Sequence, residues 1–359
     1  MINRKILEIT PYQPGKPIEE VKRQLGLKEV IKLASNENPL GPSPKAVLAI
    51  KKSLTKINRY PEGSCFYLRQ RLSKKLKVRP ENLIFGNGSD ELIDIVIKAF
   101  CEPDDEIITA DTTFLEYRII ALQNGRAVRC IPLKDFRYDL ARIKDRIGPK
   151  TKAIFIANPN NPTGTYVTKR EVDDFLNGLP ENVVAIFDQA YLEFVENKDF
   201  PLSLNYFRQG KNVIILRTFS KIYGLAGLRI GYGIAREEFI QYMERARQPF
   251  NVNTLAQEAA LAALDDTVFI RKAQRAVREG KKYLYGELDR LKINYIPSAA
   301  NFILIDLKRD GLKIFNKLLK EGVIVRDMQQ YGLNNFIRVT IGREKENKKF
   351  VAALKKVLS

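Results

Sequence analysis

Short apolar runs recur in the first two thirds of this 359-residue chain. None of them alternates apolar with polar residues, and such uniform runs are typical of strands that are covered on both faces, as in a parallel sheet. Helical stretches, such as residues 168–179, lie between some of the runs. The pattern therefore predicts an α/β fold with a mostly parallel sheet between helices. The runs that we predict to be strands are residues 82–85, 106–109, 153–157, 183–187 and 213–216.

The pattern changes after about residue 250, where long charged helical stretches precede further strand-like segments such as ANFILIDL and FIRVTIG. A chain of this length also suits two hydrophobic cores better than one. We therefore predict a large domain over residues 41–250 and a smaller α+β domain over residues 251–359. Residues 1–40 are rich in proline and glycine, and we expect them to form an arm that packs with the smaller domain.

The chain contains no histidine. This absence excludes a Ser-His-Asp or Cys-His mechanism and any zinc site that is built on imidazole. The three cysteines have neither metal-ligand spacing nor a disulfide pattern, so we expect no bound metal. No apolar run approaches the roughly 18 residues that span a bilayer, and the N-terminus has no secretory-signal pattern. We therefore expect a cytoplasmic protein.

The formal net charge of +19 raises the question of a nucleic-acid partner. The densest basic stretch, residues 68–79, has leucines four residues apart, which predicts a helix with a leucine face and a solvated basic face. No aromatic residues lie among these charges, as a surface that stacks single-stranded bases would require. We therefore expect the charge to attract small anionic substrates, and we expect no nucleic-acid partner.

Polar groups follow the predicted strands at the edge where an open α/β sheet binds its ligands. Gly86–Asp90 lead into a helix, and the glycines would let backbone N–H groups approach a phosphate there. Asp188 follows the strand 183–187, and Lys221 follows the strand 213–216. Taken singly, these residues could be helix caps, turn residues or a surface lysine. Pyridoxal phosphate would use all of them, because it needs a lysine that bonds to its aldehyde, an acid at its ring nitrogen and a phosphate site.

Two motifs, NPNNPTG (158–164) and SKIYGLAGLRIGY (220–232), resemble those of class II pyridoxal-phosphate aminotransferases of fold type I. The resemblance is strongest to the histidinol-phosphate aminotransferases and covers residues 11–343. It implies a seven-stranded sheet in the large domain and the transamination of histidinol phosphate with 2-oxoglutarate, a step of histidine biosynthesis. The motifs that indicate this subfamily are LASNENPLGPSP (33–44), RYPEGSCFYLR (59–69), DQAYLEF (188–194) and GVIVRDMQQYGLNNFIRVTIG (322–342).

The resemblance also implies the roles of residues around the cofactor ring. Lys221 would bond covalently to pyridoxal phosphate and later carry the proton between the substrate Cα and the cofactor. Asp188 would keep the ring nitrogen protonated, and Asn161 and Tyr191 would hydrogen-bond the ring hydroxyl oxygen. Phe114 would stack on the ring where the family usually has a tyrosine, so stacking is kept and one hydroxyl is lost.

At the other end of the cofactor, the resemblance implies a phosphate site and a contact between subunits. Tyr60 would reach the phosphate of the neighbouring subunit's cofactor, which implies a homodimer with shared sites. Gln189 replaces the glutamate that is usual after the family's aspartate, and we expect it to lie outside direct contact with the cofactor. The residues implied around the phosphate are Ser89, Asp90, Ser220 and Arg229.

For the substrate, the resemblance implies that Arg338 clamps the carboxylate of glutamate through a two-pronged contact. Arg326 would be a second anion-binding residue, with Tyr12 as a hydroxyl donor and Asn38 as a further contact. Arg326 could instead form a salt bridge between domains, and Tyr12 could be a packing residue of the arm.

Three alternative functions remain open from the sequence. A threonine-phosphate decarboxylase and an aromatic amino-acid aminotransferase would share the fold, and the aromatic substrate would not need Arg326. A non-catalytic regulator on the same fold would normally carry an added DNA-binding domain, for which this chain has little room.

Overall fold

The computed structural model describes residues 4–359 and contains strands, helices and short 3₁₀ turns in alternation. The strands are β1 (Ile31–Lys32), β2 (Leu83–Gly86), β3 (Glu106–Ala110), β4 (Ala127–Ile131), β5 (Thr151–Ala157), β6 (Val184–Asp188), β7 (Val213–Thr218), β8 (Gly231–Ile234), β9 (Asn294–Ile296), β10 (Phe302–Asp306), β11 (Val323–Ile324), β12 (Arg326–Asp327) and β13 (Phe336–Thr340). The helices are α1 (Ile18–Leu25), α2 (Pro44–Ser53), α3 (Phe66–Leu76), α4 (Ser89–Phe100), α5 (Glu116–Gln123), α6 (Leu140–Asp145), α7 (Lys169–Leu176), α8 (Ser203–Arg208), α9 (Glu237–Ala246), α10 (Thr254–Leu264), α11 (Thr267–Arg290), α12 (Gly311–Lys320) and α13 (Glu344–Leu358).

The larger sheet has seven strands in the order β2-β8-β7-β6-β5-β3-β4. The five strands from β7 to β4 are parallel, and β8 runs antiparallel to both of its neighbours. Every residue of β3, β6 and β7 is buried, because helices cover both faces of the sheet. The prediction of an α/β fold with a mostly parallel seven-stranded sheet is confirmed.

The C-terminal part of the chain contains a four-stranded antiparallel sheet in the order β12-β13-β10-β9. Helices α11 and α13 pack against each other beside it, and α12 packs on β11 and β12. Near the N-terminus, β1 pairs in parallel with β11, so that Ile31 lies opposite Val323. The first strand of the chain is therefore joined to the C-terminal part, and the domain boundaries near residues 40 and 250 remain a prediction.

Two strands of the larger sheet were not among the predicted runs. β4 is an edge strand in which three of the five residues are exposed, so its sequence AVRCI is not uniformly apolar. β8 has the sequence GYGI, in which glycines replace the branched side chains that indicate a strand. Gly233 has a packing reason, because a Cβ there would lie 2.9 Å from the Ile84 side chain. Within residues 4–359, no helix is both long and apolar enough to cross a membrane.

Candidate active site

The carboxyl ends of β5, β6 and β7 open onto a cavity of about 400 Å³. Arm, large-sheet and C-terminal segments all contribute to its wall. The predicted site residues that line it are Tyr12, Ser89, Asp90, Phe114, Asn161, Asp188, Tyr191, Ser220, Lys221, Arg229 and Arg338. Three predicted residues, Tyr60, Asn38 and Arg326, do not line the cavity within this chain.

Lys221 lies just beyond the end of β7, in the wall of the cavity. Its Nζ atom donates one long hydrogen bond, of 3.4 Å, to the backbone oxygen of Ser35. The same atom lies 5.6 Å from the centre of the Tyr191 ring. No carboxylate of the described residues forms a salt bridge with it, so its amino group is available to a ligand in the cavity.

Asp188 is a buried carboxylate at the end of β6. Its Oδ2 accepts a hydrogen bond of 2.7 Å from the Tyr117 hydroxyl, and its Oδ1 accepts one of 3.1 Å from the backbone N–H of Ala190. Burial raises the pKa of Asp188 to about 6, although these two hydrogen bonds act in the opposite direction. Since Asp188 forms no salt bridge within residues 4–359, a cation bound beside it would remove much of the cost of its burial.

The N-terminus of α4 forms a second part of the wall, where Ser89 and Asp90 line the cavity and the first backbone N–H groups have no partner within the helix. Gly88 precedes it with a φ of 90°, and a Cβ at this position would lie 2.4 Å from Nη2 of Arg229. Arg229 donates from the same Nη2 to Oδ2 of Asp90 at 2.7 Å. Its own φ of 55° is uncommon for a residue with a side chain. The Gly88 backbone thus packs closely against the Arg229 guanidinium in this part of the wall.

Arg338 is only 4% exposed and reaches the cavity from β13. Its Nη1 donates to Oδ1 of Asn161, and its Nη2 donates to the backbone oxygen of Ala34 at 2.7 Å. Its Nε has no hydrogen-bond partner in the part of the chain that the structure describes. A buried guanidinium with an unpaired N–H and no carboxylate partner among the described residues is suited to an anionic ligand.

Arg326 is also buried and lies directly opposite Arg338, on the neighbouring antiparallel strand. It forms no salt bridge with the described residues, which argues against its alternative role as a domain-interface ion pair. Its Nη2 donates to Oε1 of Gln330 at 3.2 Å, and its guanidinium lies 5.2 Å from the centre of the Tyr12 ring. The Gln330 side chain also bonds to the backbone of residues 11 and 13. Gln330 thereby holds the arm against Arg326.

The other two predicted residues lie elsewhere. Tyr60 is 84% exposed and stacks on Phe250, with 4.9 Å between the ring centres. Asn38 is buried, and both ends of its amide are occupied: Nδ2 donates to the Ile222 backbone oxygen at 2.7 Å, and Oδ1 accepts from the Leu40 N–H at 2.9 Å. The structure therefore does not bring Asn38 to the cavity, because its amide is used in holding the loop that follows β1.

Several cavity residues were not predicted, among them Asn36, Tyr117 and Thr218. Tyr117 lies three residues after Phe114, close to one helical turn further along the chain, and this spacing could have indicated it. Thr218 ends β7, and its hydroxyl accepts from the backbone N–H of Ser220 at 3.0 Å. Asn36 lies within the same quoted motif as Asn38, and the sequence gives no sign of which side chain turns inward.

The chain belongs to the class I and II aminotransferase family, whose sequence model matches residues 28–354. It is 51% identical over 356 residues to the histidinol-phosphate aminotransferase of Moorella thermoacetica, covering 99% of this chain and 92% of that protein. It is 47% identical over 360 residues to histidinol-phosphate aminotransferase 2 of Carboxydothermus hydrogenoformans, covering 100% and 99%. The family that the motifs indicated is thereby confirmed.

A solved structure agrees with these sequence relatives. The crystal structure of histidinol-phosphate aminotransferase from Sinorhizobium meliloti in complex with pyridoxal-5'-phosphate matches this chain with a TM-score of 0.90. The two sequences are 27% identical, and the match covers 98% of this chain and 96% of that one. The similarity therefore extends over both the seven-stranded sheet and the C-terminal sheet.

Proposed function

We propose that this protein transfers the amino group between histidinol phosphate and 2-oxoglutarate with pyridoxal phosphate as its cofactor. In the biosynthetic direction it forms histidinol phosphate from imidazole acetol phosphate and glutamate, as a step of histidine biosynthesis. The observation that carries the proposal is one cavity that contains a buried carboxylate together with a lysine and an arginine that have no acidic partner among the described residues. The named relatives at 51% and 47% identity support the particular substrate.

The residues of the cavity fit pyridoxal phosphate. A protonated ring nitrogen beside Asp188 would supply the positive charge that this buried carboxylate lacks. The α4 N-terminus and Arg229 would hold the phosphate, and a side chain at Gly88 would displace the Arg229 guanidinium from its place there. Phe114 lines the cavity and offers a flat face for the ring.

Bound pyridoxal phosphate supplies an electron sink that weakens the C–H bond at the substrate Cα. Lys221 would then move the proton from Cα, because its Nζ lies in the cavity wall and no carboxylate of the described residues pairs with it. Tyr117 would keep Asp188 charged and oriented by donating to Oδ2. Tyr117 is a neutral donor, since its burial and the nearby Asp188 charge hold the pKa of its hydroxyl well above the usual range.

The two arginines on β12 and β13 would bind the anionic ends of both substrates. Glutamate carries a second carboxylate, and histidinol phosphate carries a phosphate ester instead. Arg338 would hold the carboxylate in a two-pronged contact through its guanidinium, which has no acidic partner among the described residues. Arg326 and the Tyr12 hydroxyl would add the contacts that a phosphate needs, since Arg326 has no acidic partner within residues 4–359.

The first experiment is the visible absorbance of the purified holoenzyme before and after histidinol phosphate is added without an acceptor. We expect a yellow band that is lost as the cofactor takes up the amino group. A band that responds to glutamate and not to histidinol phosphate would move the substrate to an aromatic or other amino acid. Release of carbon dioxide from threonine phosphate would identify a decarboxylase, and a protein without any band after cofactor is supplied would contradict the proposal.

A homodimer with shared active sites is part of the proposal. Large apolar side chains are exposed in and after α2, at the start of α3, and at Phe250, which stacks on Tyr60. Contiguous exposed apolar surface marks interaction sites. Tyr60 lies among them and does not reach the cavity of its own chain. The exposed residues are Leu48, Leu54, Ile57, Tyr60, Phe66, Tyr67 and Phe250.

Mixed dimers test this arrangement. Neither Lys221→Ala alone nor Tyr60→Ala alone forms a complete site, if Tyr60 acts across the interface. We expect co-expression of the two variants to restore about a quarter of wild-type activity, since roughly half of the dimers are hybrids and each hybrid has one complete site. Recovery no greater than the residual activity of Tyr60→Ala would show that the sites are not shared.

A further inference from the structure

Asn36 lies in the cavity wall and connects the C-terminal sheet to Tyr191 through hydrogen bonds. It is 1% exposed, and its φ of 54° lies in the left-handed region, which asparagine adopts more readily than most residues. Its backbone oxygen accepts from Nδ2 of Asn301 at 3.0 Å. The residue is therefore held on its main chain as well as on its side chain.

Hydrogen bonds to Thr340 determine the orientation of the Asn36 side-chain amide. The backbone N–H of Asn36 donates to Oγ1 of Thr340 at 2.9 Å, so the threonine's own proton is free to be donated elsewhere. Oδ1 of Asn36 lies 3.2 Å from that hydroxyl and accepts the proton. Nδ2 of Asn36 is then directed at Tyr191, whose hydroxyl oxygen it reaches at 3.0 Å.

This direction leaves the Tyr191 proton for another partner. A phenol oxygen that accepts a hydrogen bond from an amide still has its own O–H to donate. Among residues 4–359 the Tyr191 hydroxyl has no second hydrogen-bond partner, and Tyr191 lines the cavity. The proton is thus available to a ligand in the cavity.

The same strand determines the direction of Asn161. Arg338 donates to Oδ1 of Asn161, which leaves the asparagine's Nδ2 as a donor. Arg338 and Thr340 are two residues apart on β13, so they face the same side of the sheet. Residues of β13 therefore leave both Asn161 and Tyr191 able to donate a hydrogen bond into the cavity.

We propose that Asn36, held by Thr340, is a positioning residue that makes Tyr191 a hydrogen-bond donor to the ring hydroxyl oxygen of the cofactor. The inference rests on the proposed function, because it requires pyridoxal phosphate in the cavity. Donation by Tyr191 stabilises that oxygen in its charged form. It therefore lowers the pH at which the visible band of the holoenzyme changes.

The test is a pH titration of the visible band, which does not depend on turnover. Tyr191→Phe removes the donor and should raise the midpoint by about half a unit to one unit, the effect of one hydrogen bond. Asn36→Asp keeps the shape and tolerates the left-handed φ, but it replaces the amide donor with an acceptor. Tyr191 would then donate to the new carboxylate, and the midpoint should rise in the same direction.

A matched control separates the effect of placing an acceptor beside Tyr191 from the effect of losing the Asn36 amide. Asn36→Gly also tolerates the left-handed φ, and it removes the amide without offering an acceptor. Tyr191 then keeps its proton for the cofactor, so the midpoint should move much less than in Asn36→Asp. An equal rise in both variants would overturn the proposal.

The negative charge of Asn36→Asp could raise the midpoint by itself, and a double-mutant cycle removes this ambiguity. In the Tyr191→Phe background, Asn36→Asp should have little further effect if it acts through Tyr191. The same rise in both backgrounds would mean that the charge acts directly, and would overturn the proposal. The titratable or charged groups around Tyr191 stay the same in every variant; they are Tyr117, Asp188, Lys221, Tyr331 and Arg338.

The outcomes also distinguish this inference from the proposed function. Absence of a visible band in the unmodified protein would overturn both. A wild-type midpoint in Tyr191→Phe would show that Tyr191 does not donate to the cofactor, which overturns the inference and leaves the aminotransferase standing. A raised midpoint in Tyr191→Phe together with an unchanged one in Asn36→Asp would overturn the role of Asn36 alone.

Discussion

Replacing Lys221 with alanine should abolish transamination and remove the yellow band of the holoenzyme. The lysine is the one proposed residue that both bonds to the cofactor and moves the proton at the substrate Cα. Its loss should reduce kcat by about four orders of magnitude or more. Coupled turnover assays with histidinol phosphate and 2-oxoglutarate, together with the absorbance spectrum after cofactor is added, measure the two effects.

Lys281 provides a matched control for this variant. Burial lowers the pKa of Lys281 to about 8, which makes it the kind of lysine that could also react with an aldehyde. It lies outside the cavity, and its Nζ donates to the Ser298 backbone oxygen at 2.7 Å. We expect Lys281→Met to keep the band and turnover. Loss of the band in Lys281→Met, with full activity in Lys221→Ala, would place the cofactor at a different lysine.

Replacing Arg338 with alanine should reduce kcat/KM for glutamate by roughly 100-fold to 1000-fold, the usual effect of removing one partner of a buried charge pair. Arg338→Lys keeps the positive charge but cannot form the two-pronged contact and loses the fixed contact with Asn161. We therefore expect it to recover only a small part of the loss. Steady-state kinetics with glutamate as the varied substrate provide the measurement.

Two other arginines complete the test. Arg309→Ala changes the net charge by the same amount outside the cavity, where Arg309 donates to the Leu358 backbone oxygen, and it should behave like the wild type. Arg326→Ala should weaken histidinol phosphate more than glutamate, because we assign Arg326 to the phosphate. An unchanged kcat/KM for glutamate in Arg338→Ala would disprove the proposed carboxylate site.

The sequence predicted the strands that are apolar along their whole length. β6 and β7 are buried on both faces, and uniform apolar runs preserve that fact in the sequence. β4 and β8 were missed because an exposed edge and close packing against Ile84 select other residues. Their place in the sheet depends on neighbours that are distant in the chain.

The site residues were likewise predictable where a local motif identified them, and not where distant contacts orient them. Motifs predicted Lys221, Asp188 and Arg338, because the chemistry of the site requires those residue types. The choice between Asn36 and Asn38 depended on backbone direction, since a left-handed φ at Asn36 turns its side chain toward Tyr191. That direction is set by Thr340 and Asn301, more than 250 positions away in the sequence, and no local pattern records it.

The pairing of Arg326 with Arg338 across β12 and β13 has a consequence for substrate length. Residues directly opposite each other in an antiparallel pair point to the same face, at a separation that the main chain determines. Neither arginine can slide along its strand to suit a longer substrate, because a shift of one position would turn its side chain to the other face. The sheet therefore fixes the spacing between the two arginines. With both arginines bound to the substrate as we propose, tolerance of different lengths would come from the arm segment around Tyr12, which is held by the Gln330 side chain and not by pairing in the sheet.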